Sequence, residues 1–129
     1  MLNKIVDALN KRSDLAGWTV RHLLTRGAQV YAVPEQIESQ RLVNVERYRI
    51  DVLRQTSRPD GTEGMGSGDV TLLPGGDIQT AIEQAVLVAG LVSNPVHTLP
   101  APASLPDVPL VDTNLQNDPS AVTKAMMEY

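Results

Sequence analysis

GTEGMGSGDVTLLPGGDIQTAIEQAVLVAGLV, residues 61–92, decides how the chain folds. Its second half reads as a helix. Asp77 is an N-cap residue, and Ile78, Ile82, Ala85, Ala89 and Val92 follow at spacings of four, three, four and three, which predicts a helix over 77–93. AVLVAGLV is apolar all round, so burial on more than one side is expected. Asn94-Pro95 stops the helix. In the first half, DVTLL (69–73) reads as a strand, and Pro74, Gly75 and Gly76 as a turn. The four glycines at 61, 64, 66 and 68 raise the question of a phosphate cradle.

The surrounding residues answer against one. A dinucleotide fingerprint places G-x-G-x-x-G between a strand and a helix, so that the helix N-terminus meets the pyrophosphate. Here the spacing is Gly64-x-Gly66-x-Gly68, and a strand follows. A P-loop needs Gly-Lys-Ser/Thr, and no lysine lies between Lys11 and Lys124. Asp60, Glu63 and Asp69 would repel phosphate. SRPDGTEGMGSG (57–68) is therefore expected to be a loop between two strands, the most mobile interior segment of the chain.

Working outward, Leu2, Ile5, Val6 and Leu9 mark an amphipathic helix over residues 2–12. WTVRHLLT (18–25) alternates as a strand, Arg26-Gly27 is the expected turn, and AQVYAV (28–33) the returning strand of a hairpin that Pro34 ends. QRLVNVERYRIDVLRQ (40–55) is the longest β-prone stretch. Val43 and Val45 share one parity, and Tyr48, Ile50 and Val52 the other. The apolar face switches near Glu46, so either a bulge sits there or both faces are partly covered. Residues 94–117, rich in proline, read as an extended arm lying along a surface. Asp118-Pro119 starts another helix over 118–129, cut within a larger chain. The expectation is an α+β domain over 1–93, then the arm. It has an antiparallel sheet of three to four strands, with an N-terminal helix and a long buried helix packed on it.

Composition bounds the function. Aromatics are 3% of the residues and Phe is absent, so the core is aliphatic. The absence of Cys excludes disulfides and thiolate metal sites. A net charge of −4 argues against a nucleic-acid partner. MLNKIVDALNKR, with Lys4 and Asp7 in its apolar pattern, is no signal peptide. The longest apolar run, 85–92, is too short to span a membrane. A soluble cytoplasmic protein without a membrane partner is expected.

No catalytic constellation is legible. His22 reads as a half-exposed strand residue and His97 as a loop residue, with no H-x-x-x-H or H-E-x-x-H pattern around either. Glu35 and Glu38 read as a solvated edge. Arg41, Arg47, Arg49, Arg54 and Arg58 cluster around Tyr48, but RNA-binding sheets stack bases on several aromatics, and only Tyr48 and Tyr31 are available. Interleaved Glu46 and Asp51 point to cross-strand ion pairs instead. Arg47, Tyr48, Arg49, Gly64 and Gly66 remain candidate partner contacts. No cofactor or metal is expected in the chain itself.

WTVRHLLTRGAQVYAV, QRLVNVERYRIDVLRQ, GMGSGDVTLLPGG, DIQTAIEQAVLVAGLV and the exit NPVHTLPAP, taken together, resemble the N-terminal domain of the TldD/PmbA family of metallopeptidases over about residues 15–110. The resemblance implies a non-catalytic front domain with structural, chamber-forming and subunit-contact roles. It also implies homo- or hetero-oligomers, a peptide substrate for the full-length protein, and zinc held by a downstream catalytic domain through H-E-x-x-x-H. This chain contains no H-E pair. The alternative is a free-standing peptide- or protein-binding α+β module without enzymatic activity, whose sheet edge accepts an extended segment.

Overall fold

The computed structural model describes residues 1–33, 36–101, 103–104, 106–108, 113–118, 120, 121 and 125. The elements in chain order are α1 (Leu2–Asn10), β1 (Gly17–Val33), β2 (Gln36–Ser57), β3 (Glu63–Leu72), α2 (Ile78–Leu91) and α3 (Thr113–Asn117). The strands form one antiparallel sheet in the order β1-β2-β3. The fold is α+β, as the sequence predicts.

Two compact units divide the chain. One comprises Met1–Leu24 and Glu46–Ala101. In it α1 and α2 pack their apolar stripes on one face of the sheet. Ile5 and Leu9 of α1 meet Tyr48, Ile50 and Val52 of β2, Leu72 of β3, and Ala81, Ile82, Ala85, Val86 and Ala89 of α2. Trp18 and Val20 of β1 flank this core. Arg12, just beyond α1, bonds Asp14 at 2.7 Å and also reaches Glu83, so it ties α1 to one flank of α2. The second unit comprises Thr25–Val45 and Pro102–Tyr129 and holds the later residues of β1 and the earlier residues of β2. There Tyr31 and Leu42 are exposed.

The glycine stretch is not a loop. β3 begins at Glu63 and pairs with β2 without a break, from Thr56↔Gly64 through Tyr48↔Leu72. Only residues 58–62 turn. Gly61, at φ +81°, takes the left-handed position, and its N–H donates to the Arg58 carbonyl at 2.9 Å. Gly64, Gly66 and Gly68 share one face of β3 because side chains alternate in a strand. That face lies directly under α2. A Cβ at Gly66 would come within 2.6 Å of the Val92 carbonyl and overlap that of Ala89; one at Gly68 would meet the Ala89 nitrogen at 2.7 Å and overlap the Ala85 carbonyl. The glycines bring the helix backbone down onto the strand backbone, and Ala81, Ala85 and Ala89 complete the close seam.

Two further expectations are corrected, and the parity switch gains a location. Arg26-Gly27 does not turn, and β1 runs through it as one strand. Gly27 has no left-handed φ, and an extended glycine continues a strand like any other residue. The chain reverses between Val33 and Gln36, and positions 34–35 lie outside the described residues. The parity switch near Glu46 falls at the border between the two units: Tyr48, Ile50 and Val52 fill the core, whereas Val43 and Val45 belong to the other unit. Finally, α2 is buried on one side only. Leu87 is 67% and Leu91 75% exposed.

Asp77 caps α2 by accepting the Thr80 N–H at 2.7 Å. The helix ends at Val92, whose own backbone is extended. The described residues of 95–108 are neither helix nor strand. Thr113–Asn117 is helical, within the stretch expected to be extended. Of the expected helix over 118–129, Ala121 and Ala125 are helical, and most of the rest lies outside the described residues.

Candidate functional site

Period-2 geometry sorts the polar residues of the sheet onto its two faces. On the helix-bearing face, beside the core, Glu46 accepts hydrogen bonds from Tyr48 Oη at 2.6 Å and pairs with His22 Nε2 at 3.0 Å. The His22 and Tyr48 rings stack with centroids 4.7 Å apart and 7° between their planes. The Tyr48 hydroxyl, and then His22, hold the Glu46 carboxyl below the usual carboxylate range. Donating to that carboxylate pushes the Tyr48 hydroxyl up. The cluster is a polar clasp joining β1 to β2.

On the opposite face, Asp51 gathers Arg21 at 3.0 Å, Thr19 at 3.2 Å and Arg49 at 3.2 Å, and Arg49 also reaches Asp69 at 3.2 Å. Burial pushes the Asp51 carboxyl up, but the bonds from Arg21 and Thr19 outweigh it, so the group lies below its ordinary value. This ladder borders a groove of about 210 Å³, lined by Thr19, Leu53, Ser67, Asp69 and Leu99 among others. Gly17 makes room for Leu99, whose methyl lies 3.2 Å from where a Cβ would stand. A second, wider groove of about 470 Å³ runs between α1 and the start of α2, past Lys4, Asp7, Lys11 and Asp77.

The candidate partner contacts separate on this geometry. Arg47 and Arg49 are exposed on the outer face, and Arg49 is committed to Asp51 and Asp69. Tyr48, Gly64 and Gly66 are buried. The tyrosine fills the core, and the glycines lie beneath α2. Next to them lies the edge of β3, which the sequence reading, naming a sheet edge without saying which, did not locate. Met65 exchanges both backbone hydrogen bonds with Asn94, at 2.8 and 2.9 Å. The alternating glycines were the available signal, because period 2 places them on one strand face.

Among the described residues, no group of three or more His, Asp or Glu converges to hold a metal ion. No helix among the described residues is long and apolar enough to cross a membrane. Comparisons with protein-family models, curated proteins and solved structures find no match.

Proposed function

We propose that the chain is the non-catalytic N-terminal α+β domain of a TldD/PmbA-like metallopeptidase, working in the cytoplasm. It packs against a downstream zinc-bearing catalytic domain, helps wall off the peptide chamber and contributes to subunit contacts. The observation that carries this reading is the outer face of α2. Leu87 and Leu91 stand exposed on it, just before the N-P…L-P-x-P exit that the resemblance rests on. An apolar helix face of this kind calls for cover in a larger assembly. The domain supplies packing surface and no chemical step.

The test is the natural reading frame past Tyr129. The reading predicts an H-E-x-x-x-H helix there. It predicts that the longer protein binds zinc and cleaves peptides in a chelator-sensitive way, whereas the 129-residue chain does neither. Leu91→Glu should then loosen the longer assembly and leave the melting of the isolated domain unchanged. Stoichiometric zinc surviving dialysis, or peptide cleavage by the 129-residue chain alone, would contradict it.

A further inference from the structure

The Met65–Asn94 pair fixes which way the backbone of β3 points. Inward and outward groups alternate along an antiparallel ladder. Ser67, Asp69 and Thr71 therefore aim N–H and C=O away from β2, as Met65 does. Among the described residues the sheet has no fourth strand to receive them. Asn94 begins one, and Pro95 ends it.

α2 overhangs this edge. Its Glu83 flank turns toward α1, held by Arg12, and Ile82 and Val86 are buried on that side. Val88 lies on the opposite flank of the helix, and Val92 is the extended residue that follows its last turn. They are 43% and 45% exposed. Because the glycine seam sets α2 directly on β3, this half-covered flank stands over the open edge. A strand added there would have backbone partners on one side and Val88 above it, with Val92 at its Asn94 end. On the other face it would border the groove beside Ser67 and Asp69.

We infer that the β3 edge from Ser67 to Thr71, overhung by Val88 of α2, docks an extended segment of a partner protein, antiparallel to β3, with its apolar side chains turned toward the helix. The segment alternates apolar and polar residues, carries no proline at paired positions and ends in basic residues, matching the net charge of −4 and the exposed Asp69, whose carboxylate also holds Arg49. A second copy is the poorer occupant. Symmetric pairing centred on the open stretch sets Asp69 against Asp69, and like charges directly opposite are destabilising. The inference rests on this domain alone and is independent of the metallopeptidase reading.

The probe is a capped KVTVTVK peptide, titrated into the isotope-labelled 129-residue chain and followed by amide and methyl NMR. Saturable shifts are expected at Ser67, Asp69, Thr71 and Val88. Val88→Lys should keep the melting temperature and weaken binding about tenfold, the equivalent of one lost valine contact. The same peptide N-methylated at alternate residues on its pairing edge should not bind, which separates backbone pairing from apolar adhesion without altering the protein. Four results would overturn the inference: no saturable shift at about 1 mM peptide, shifts confined to the outer edge of β1, equal binding of the N-methylated peptide, or the same amides shifting on protein dilution alone, which would place a second copy there.

Discussion

A methyl group added at Gly66 would overlap the Ala89 carbonyl of α2 and press on that of Val92 at its C-cap, both backbone atoms that cannot rotate away like a side chain. Gly66→Ala should therefore cost about 3 kcal/mol, at the upper end for overpacking. Gly27→Ala is the control: nothing lies within 4 Å of its added Cβ, and the change should be neutral or slightly stabilising. Chemical denaturation of the two variants checks the pair, and equal stabilities would remove the packing role of the glycines. Asp14 gives a pH signature at the same scale. The hydrogen bonds from Arg12 hold its carboxyl down to about 2, against an ordinary 3.8. Its folded value lies below its unfolded one, so the stabilisation is complete above 3.8 and lost as pH falls toward 2. With the side chain 41% exposed, solvent screening limits the contribution to at most about 1 kcal/mol. Asp14→Asn should flatten that part of the stability–pH curve.

The seam between β3 and α2 carries the element-scale argument. Ala89 is fully buried, so Ala89→Asp places an unpaired charge against the strand and should cost about 3–5 kcal/mol. Leu87→Glu, two residues earlier on the outer face, should change stability by less than about 0.5 kcal/mol. Thermal melts of both variants check which face is buried. The helix was legible in residues 77–93 because its cap and its period of three and four are local features. Its one-sided burial was not. AVLVAGLV is equally apolar around the helix, and only the sheet selects which face is covered. β3 was half legible. DVTLL announces a strand by its side chains, whereas Gly64, Gly66 and Gly68 announce a loop, and the partner that makes them a strand face is α2, far along the chain. Local propensity lost there to tertiary packing.

At the scale of the whole molecule, the same limit explains β1. Arg26-Gly27 carries a turn signature, yet its extended pairing continues for six more residues to Val33. The parity switch at Glu46 was legible, but its meaning as a border between two units depends on which neighbours each half of β2 meets. The candidate site divides in the same way. Arg49 and Asp51 follow from interleaved charges on one strand, whereas the β3 edge follows only once the glycines are placed under α2. The account rests on that placement, and backbone amide exchange measures it most directly. The N–H groups of Gly64, Gly66 and Gly68 point toward β2 and lie beneath α2. They should exchange as slowly as those of Ile50 and Val52 in the core, and far more slowly than Gly61 in the turn. Exchange of all four glycines at the same fast rate would mean that residues 61–68 are a mobile loop and that α2 does not rest on a strand there.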